Sequence, residues 1–389
     1  MRILWSANAI WAGTGYGIQG RSLLPRLKRL GHEVANHAWY GLQGGMMQAA
    51  DITVYPAAFD PFGTDIIGAW VKDFKADLVL SLLDIWVLPE DYAQRCRPAR
   101  WAAWFPVDSQ PVPELVVKRS KACDYPVTYS HFGQQEAQRA GLSTRYIPHG
   151  IETLIFRPGD RAAARKRLGV REEAYLVSMV AANKGVPSRK AFPENFLAFA
   201  AFRERHPEAV LYVHALAGTA SNGVDLIRLG RACGIPDDAL LFVNQPNYIK
   251  GLPQQYLAWV YQASDVLLAA SQNEGFGIPI VEAQACGCPV ITTDCTSMPE
   301  LTCNGIATAP AQPFWTGLDA WAAVPSVASI GEALEAIYAR PPEEKRQAAA
   351  AGIDFVQERY DWDVCVRTFW EPFLAEVEAD LAHDVQRDA

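Results

Sequence analysis

Two glutamates flank a glycine-rich turn in residues 273–289, which read NEGFGIPIVEAQACGCP. Glu274 precedes the turn and Glu282 follows it, with seven residues between them. Because glycines permit a tight turn and proline suits the first turn of a helix, this pattern predicts a helix that begins near Ile278 or Pro279. The unpaired N–H groups and the dipole at a helix start attract phosphate. The residues that would present these N–H groups are Gly275, Phe276, Gly277 and Ile278.

The two carboxylates are suited to binding hydroxyl groups. Helical side chains lean toward the N-terminus of their helix, so we expect Glu282 to lie beside the phosphate site. Its two oxygens match two vicinal hydroxyls, as in a ribose. Glu274, before the turn, is expected to bind hydroxyls of the group attached beyond the phosphate. The alternative is that both acids only stabilise the start of a helix, where carboxylates are favourable.

The elements that must position this turn follow from hydrophobic periodicity. Short apolar runs alternate with stretches of helical period, which predicts parallel sheets with helices on their faces. The carboxyl ends of such strands form the ligand-binding edge of the sheet. The strand-like runs are RILWSAN, HEVANHAW, ADLVLSLL, RWAAWFPV and DYPVTYS, and then AYLVSMVAA, AVLYVHAL, ALLFVNQ, DVLLAAS and PVITTD.

The length predicts more than one domain, because a single hydrophobic core stops growing near roughly 250–300 residues and this chain has 389. The pattern breaks into proline, glycine and charge at YIPHGIETLIFRPGDRAAARKRLGV and then restarts. We therefore predict two doubly wound, Rossmann-like α/β domains that face a central cleft. The predicted divisions are a first Rossmann-like domain at 1–152, a linker at 153–172, a second Rossmann-like domain at 173–352, and a helical segment at 353–389 that packs back on the first domain.

The turn resembles the E-x7-E signature of retaining glycosyltransferases of the family 4 type, also called glycosyl transferases group 1, which have the GT-B fold. The signature is an acid, then GFG, a proline, an E-A helix, a glycine and PV. The matching residues are Glu274, Gly275, Phe276, Gly277, Pro279, Glu282, Ala283, Gly287, Pro289 and Val290. The segment GTGYGIQGRSLLPRLKRLGHEV resembles the first loop and helix of the family, in which Gly15 and Gly17 let the backbone approach donor phosphate and acceptor.

The resemblance implies that an arginine and a lysine stabilise the leaving diphosphate. The corresponding region reads AANKGVPSRKAFPENF, where Lys190 aligns with the lysine and either Arg189 or Lys184 supplies the second cation. Breaking a sugar–phosphate bond builds negative charge on the leaving oxygens, and fixed cations stabilise that charge. The competing interpretation is a solvated basic loop.

One position departs from the family. Many members carry a histidine near the end of the strand that reads RWAAWFPV here, but this chain has Asp108 in FPVDSQP. An aspartate at this point can accept a hydrogen bond from a sugar hydroxyl or steer the acceptor, and it is also a candidate cap for the helix that starts near Pro113. His131 and His149 are candidates for the histidine's role, but each is better explained as a structural histidine.

The resemblance therefore implies a retaining hexosyltransferase with a UDP- or GDP-sugar donor, such as UDP-glucose or GDP-mannose, and a hydroxyl acceptor. The expected catalytic residues are Glu274, Lys190, Arg189 and Asp108. The expected donor-binding residues are Gly15, Gly17, Lys184, Gly275, Phe276, Gly277, Ile278 and Glu282. No cofactor is expected, and no metal, since the cations can replace one. The C-G-C spacing at Cys286 and Cys288 also lacks the gap usual for zinc.

The resemblance leaves the acceptor open among a saccharide, a lipid-linked sugar and a hydroxymethylated DNA base of the phage type. The net charge of −8 gives no sign of the basic face that nucleic acid requires, although a local patch is compatible with it. No apolar run approaches a membrane span, so we expect a cytoplasmic protein. The basic amphipathic segment Tyr16–Leu30 allows peripheral membrane contact. The other classes considered are a nucleotide-sugar 2-epimerase, a dinucleotide oxidoreductase and a sugar-nucleotide sensor without catalysis.

Overall fold

The structure is a computed structural model that describes residues 1–388, with side chains described through residue 384. The chain forms two compact units. Residues 1–150 and the segment that begins at Trp362 make up the first unit, and residues 151–361 make up the second. Each unit has its own sheet.

The sheet of the first unit runs in the order β3-β4-β2-β1-β5-β6-β7-β8. Neighbouring strands are parallel except for β3 and β4. The strands are β1 (Arg2–Asn8), β2 (Glu33–Tyr40), β3 (Met47–Ala49), β4 (Ile52–Pro56), β5 (Leu78–Leu82), β6 (Arg100–Phe105), β7 (Tyr125–Thr128) and β8 (Arg145–Tyr146). The helices are α1 (Gly15–Arg29), α2 (Ile67–Phe74), α3 (Tyr92–Arg95), α4 (Glu114–Ala122) and α5 (His131–Arg139).

Helix α1 shows how the sequence produces the local structure. The Thr14 side chain accepts a hydrogen bond from the N–H of Gly17, which caps the start of the helix. Its apolar face carries Leu23, Leu24 and Leu27, which are all buried in the first unit. The amphipathic pattern therefore reflects packing of the helix against its own sheet. No helix in the described part of the chain combines the length and apolar character needed to cross a membrane.

The sheet of the second unit is parallel throughout, in the order β11-β10-β9-β12-β13-β14, and a separate antiparallel pair, β15 and β16, follows it. The strands are β9 (Tyr175–Val180), β10 (Ala209–His214), β11 (Leu240–Phe242), β12 (Val266–Leu268), β13 (Val290–Thr293), β14 (Ile306–Thr308), β15 (Pro310–Trp315) and β16 (Trp321–Pro325). The helices are α6 (Arg161–Leu168), α7 (Phe192–Arg205), α8 (Leu226–Ala232), α9 (Gln245–Lys250), α10 (Gln254–Ala263), α11 (Ile278–Ala285), α12 (Met298–Leu301), α13 (Val327–Tyr338) and α14 (Pro342–Arg359).

The chain returns to the first unit at Trp362, through α15 (Trp362–Cys365), a π-helical turn at Val366–Trp370 and α16 (Glu371–Asp388). Trp370 is buried and packs edge-to-face on Trp104 of β6, with ring centroids 5.0 Å apart. The C-terminal helices thus complete the core of a unit that the N-terminal residues begin.

Two segments differ from the sequence prediction. Residues 153–172, predicted as a linker, contain α6 and belong to the second unit. Arg165 of this helix is buried and donates hydrogen bonds to the carbonyls of Ala263 (3.1 Å) and Ala174 (2.8 Å), while its guanidinium pairs with Asp265 at 2.8 Å. Residues 353–361, predicted to pack on the first domain, instead belong to the second unit and include the end of α14.

Candidate active site

The turn after β12 ends at Ile278, where α11 begins, as the sequence predicts. Gly277 has φ of +109°, in the left-handed region that favours glycine, and a Cβ there would lie 2.7 Å from Cδ1 of Ile280. Among the described residues no side chain caps this helix. Pro279 has no N–H, and the N–H of Ile280 donates to the carbonyl of Gly277 at 2.9 Å, so Ile278 supplies the N–H of the first turn that is placed to bind an anion.

The polypeptide after β13 holds this turn in place. The hydroxyl of Ser297 lies within hydrogen-bond distance of the carbonyl oxygens of Glu274 (2.9 Å) and Phe276 (2.8 Å). The N–H of Glu274 donates to Oγ1 of Thr296 at 3.1 Å. Sequence reasoning assigned no role to Ser297 or Thr296, and the TSMPEL segment that contains them was the only signal that could have found them.

Glu274 lies between two cations. Its side chain is within 3.1 Å of the Arg189 guanidinium and forms an ion pair with the Lys190 ammonium. Glu274 is only 7 % exposed, and burial alone would raise the pKa of its carboxyl. Lys190 and then Arg189 outweigh that effect and lower the pKa to about 2. The carboxylate is therefore ionised at neutral pH.

Main-chain and side-chain hydrogen bonds bring the two cations to the turn. The N–H of Gln272 donates to the carbonyl of Arg189 at 2.8 Å. The buried side-chain amide of Asn195, on α7, donates to the carbonyls of Ala191 and Ala270, both at 2.8 Å. These bonds join the loop before α7 to the segment after β12. Asn195 is a further positioning residue that sequence reasoning missed.

Beside these residues is a small recess that is partly open to solvent. It sits at the carboxyl ends of β9 and β12, where ligands of open α/β sheets bind. Its lining residues are Met179, Val180, Ala181, Lys190, Leu268, Ala269, Ser271, Glu274, Gly277, Pro279 and Ile280.

The structure distinguishes the two candidates for the second cation. Arg189 contacts Glu274 directly, and it also donates to the carbonyl of Asn273 at 2.7 Å. Lys184 is exposed in the same loop, next to the buried Asn183. The side-chain amide of Asn183 donates to the carbonyls of Leu216 (2.9 Å) and Val224 (2.7 Å), which fixes that part of the loop. Of the two candidates, Arg189 is therefore the one that contacts Glu274.

Glu282 has a different environment from the one its spacing suggests. It is 5 % exposed and accepts a hydrogen bond of 2.8 Å from the hydroxyl of Tyr261 on α10. Burial raises the pKa of its carboxyl to about 7, although the Tyr261 hydroxyl opposes the shift. The reason is that residues 280–285 of α11 are buried on every side, so the helix leaves its glutamate little open surface.

The remaining predicted site residues lie in the first unit. Gly15 is the exposed first residue of α1. A Cβ on Gly17 would lie 2.5 Å from the carbonyl oxygen of Ala12, so close packing within the first unit explains this glycine. Asp108 follows β6, and helix α4 has Pro113 at its N-cap without a side-chain cap among the described residues. The alternative of Asp108 as a helix cap is thus not realised.

Asp108 belongs to a polar group at the carboxyl edge of the first sheet. Burial raises the pKa of Tyr129, and Tyr16, Asp84 and Asp108 add to the shift, which places the four side chains near one another. His149 is buried and packs on Tyr129 with ring centroids 4.3 Å apart. Its Nδ1 lies 3.0 Å from Oε1 of Gln19, and burial lowers its pKa to about 3.

His131 stacks on Tyr146 with ring centroids 3.9 Å apart. Packing therefore accounts for both of the histidines that sequence reasoning considered. The described residues include no group of three or more His, Cys, Asp or Glu side chains able to hold a metal ion. Cys286 and Cys288 are buried thiols.

Residues 190–352 match the model of the family described as Glycosyl transferases group 1. A D-inositol 3-phosphate glycosyltransferase of Kribbella flavida is 31 % identical over 227 residues, which cover 56 % of this chain and 48 % of that relative. The chain thus spans about half the length of this curated relative.

Solved structures share the fold of the whole chain. Sucrose-phosphate synthase from Thermosynechococcus elongatus has a TM-score of 0.76 at 18 % identity, covering 97 % of this chain and 100 % of that one. Anabaena HepE in complex with UDP and glucose has a TM-score of 0.72 at 16 % identity, covering 96 % and 100 %. The predicted fold class is confirmed: the chain has the GT-B fold, and its residues 190–352, which contain Lys190, Glu274 and Glu282, are similar to the glycosyl transferases group 1 family.

Proposed function

We propose that this chain is a retaining hexosyltransferase that transfers a hexose from a nucleotide diphosphate sugar to an acceptor hydroxyl without a metal. The observation that carries the proposal is the arrangement of Arg189, Lys190 and Glu274 beside the start of α11, at the recess in the second unit. Two cations and one carboxylate leave one net positive charge there. An anionic diphosphate is the ligand that this charge and the helix N-terminus favour.

In the proposed reaction, the diphosphate binds at the N–H groups of residues 275–278, and Lys190 and Arg189 hold the charge that builds on it. The bond between the anomeric carbon and the diphosphate oxygen breaks as the acceptor oxygen bonds to that carbon from the same face. The departing oxygen takes the acceptor's proton, so no enzymic base is needed and the configuration is retained. Glu274, released from the cations, accepts hydrogen bonds from sugar hydroxyls.

The other predicted residues have smaller roles in this proposal. Glu282 binds ribose hydroxyls through Oε1 while Tyr261 holds Oε2. Asp108 steers the acceptor, and Gly15 and Gly17 allow close backbone approach at the start of α1. Because Lys190 and Arg189 supply positive charge, we expect turnover to persist in excess EDTA.

The comparisons indicate which substrates to test first. HepE was solved with UDP and glucose, so UDP-glucose is the first donor, followed by GDP-mannose. The name of the curated relatives makes an inositol phosphate a candidate acceptor. Saccharides, lipid-linked sugars and hydroxymethylated DNA complete the panel.

The test is release of UDP or GDP with each donor and acceptor, with the anomeric configuration of the product read by proton NMR. We expect Lys190→Ala to lower turnover by about 10²–10³-fold, as for other groups that stabilise a developing negative charge. Substitution of the exposed Lys250 by alanine (Lys250→Ala) is the matched control and should retain parental turnover.

Arg189→Ala should lower turnover more than Lys184→Ala does. Unchanged turnover in Lys190→Ala would contradict the scheme, and conversion of the donor to an epimer without acceptor would show an epimerase instead.

A further inference from the structure

The hairpin formed by β15 and β16 presents two exposed tryptophans side by side. Trp315 is 50 % exposed and Trp321 is 44 % exposed. They are directly opposite each other in the antiparallel register, and their rings meet edge-to-face with centroids 4.9 Å apart. Large exposed aromatic side chains that are grouped in this way are characteristic of binding surfaces.

The hairpin is held in a defined shape. The N–H of Thr316 donates to the carbonyl of Ala320 at 2.9 Å, and the N–H of Asp319 donates to the carbonyl of Thr316 at 3.2 Å. The indole N–H of Trp315 is 3.4 Å from Oδ1 of Asp319. Because the tip is bonded in this way, the two rings and the Asp319 carboxylate are preorganised, which reduces the entropy lost on binding.

The base of the hairpin is joined to the candidate active site by a single residue. The carbonyl of Gln272 accepts a hydrogen bond of 3.1 Å from the N–H of Ala323 in β16. The N–H of the same Gln272 donates to the carbonyl of Arg189. Trp321 is two residues from Ala323, which is about 7 Å along a strand. The aromatic pair therefore stands on the segment that leads into Glu274.

The charge around the hairpin selects among the classes of partner. The hairpin, residues 310–325, contains one charged residue, Asp319, and no lysine or arginine. Anionic lipid surfaces and nucleic-acid backbones are bound through clusters of basic residues, so neither is complementary to this surface. A pyranose is complementary to it. The C–H groups on one face of the sugar ring pack on an indole, and its hydroxyls donate to a carboxylate such as Asp319.

We propose that Trp315, Trp321 and Asp319 form a glycan-binding platform that holds a saccharide acceptor, one or more sugar units away from the hydroxyl that reacts. The proposal rests on the proposed function and narrows its acceptor to an uncharged oligosaccharide or polysaccharide. The platform binds the acceptor equally before and during the reaction, so it lowers KM without changing kcat.

The experiment uses the full chain with malto-, cello- and manno-oligosaccharides of increasing length. Binding is measured by calorimetry without donor, and initial rates are measured with whichever donor supports turnover. We expect KM to fall as the glycan lengthens in the parent chain. Trp315→Ala and Trp321→Ala should each raise KM for the longer glycans by about tenfold at unchanged kcat. Trp315→Phe, which keeps an aromatic face, should recover most of the loss and shows that the alanine effect is not misfolding.

The control is Phe59→Ala, which removes an aromatic side chain that is 99 % exposed in the first unit and should change neither KM nor binding. The proposal would be overturned if both tryptophan variants bound the glycans as tightly as the parent chain does. It would also be overturned if none of the three oligosaccharide series bound the parent chain. Tryptophan-dependent sedimentation with phosphatidylcholine vesicles, or tryptophan-dependent dimerisation in the ultracentrifuge, would assign the surface to a different partner. Calorimetry without donor separates failure of this proposal from failure of the proposed function. If only the proposed function fails, glycan binding persists in a chain that transfers no sugar.

Discussion

Glu274 and Glu282 are both buried, yet their carboxyl pKa values shift in opposite directions. Burial disfavours the charged form of each, but two cations neighbour Glu274 whereas a neutral tyrosine hydroxyl neighbours Glu282. A full charge at short range stabilises a carboxylate more than one neutral hydrogen bond does. Glu274 is consequently ionised at neutral pH, while Glu282 changes its charge near neutrality.

This contrast predicts how stability depends on pH. The carboxyl of Glu282 has a pKa of about 7 in the folded chain against a usual 4.5. Its contribution to the free energy of unfolding is therefore fully present below pH 4.5 and is lost as pH rises through 7. We expect Glu282→Gln to exceed the parent chain in free energy of unfolding by about 1–3 kcal/mol at pH 8. The two should be equal near pH 4. Urea denaturation at both pH values measures the difference.

The matched control is Glu274→Gln, for which the expected change in stability has the opposite sign. The pKa of the Glu274 carboxyl is lowered to about 2. The contribution of this carboxylate to the free energy of unfolding is therefore present above pH 4.5 and is lost as pH falls toward 2. This variant should therefore be less stable than the parent at pH 7, with a deficit that shrinks in acid. If both variants shifted stability in the same direction at pH 8, the assigned environments of the two carboxyls would be wrong.

At the scale of the element, the site depends on the start of one short helix. Gly277, with a φ of +109°, lines the recess immediately before α11 begins, and Ser297, which follows β13, secures the turn. The body of the helix is buried, so its direction is set by packing against the second unit. Anion binding at this point requires both the glycine and the packing.

The requirement for glycine can be tested with two positions that have a similar backbone. Gly277→Ala combines a positive φ with a Cβ placed 2.7 Å from Cδ1 of Ile280, whereas a Cβ at Gly251, φ +90°, would meet no atom of the described residues within 4 Å. We expect Gly251→Ala to lower the unfolding free energy by about 1 kcal/mol and Gly277→Ala to lower it further. Only Gly277→Ala should weaken UDP binding in calorimetry. Equal stability and equal UDP affinity of the two variants would contradict the proposed role of the turn.

At the scale of the whole molecule, the two units have separate cores, and one of them is built from both ends of the described chain. Trp370 lies far from Trp104 in sequence but packs on it, and the neighbouring Phe373 packs on Tyr125 of β7 with centroids 5.8 Å apart. The C-terminal segment therefore contributes to the stability of a sheet whose strands all precede residue 150.

We expect Trp370→Ala to destabilise the first unit by about 3–5 kcal/mol, the usual range for truncation of a large buried aromatic residue. Hydrogen–deuterium exchange should then accelerate in β6 and β7 and stay at the parental rate in β9 and β12. Phe196→Ala, in the core of the second unit, is the reciprocal control and should accelerate exchange in β9 and β12 instead. Equal acceleration in both sheets from either variant would show that the units do not unfold separately.

The sequence by itself determined the elements and the turn. Apolar spacing and helix-start signals act between residues a few positions apart, which is why the runs RILWSAN and AVLYVHAL coincide with β1 and β10 and why α11 begins at Ile278. The same local signals missed the β15–β16 hairpin, since AQPFW and WAAVP show little strand-like alternation. They also missed α6, whose buried arginine is satisfied by residues up to 100 positions away.

Only the tertiary structure decided which side chains meet. Arg189 and Glu274 are 85 positions apart, and they meet because β12 lies beside β9 in the sheet although other strands separate the two in sequence. That strand order places Arg189 rather than Lys184 at the carboxylate, and packing around α11 buries Glu282 against Tyr261. Contacts of this kind depend on long-range strand pairing and on complementary packing, and neither leaves a periodic signal in the sequence.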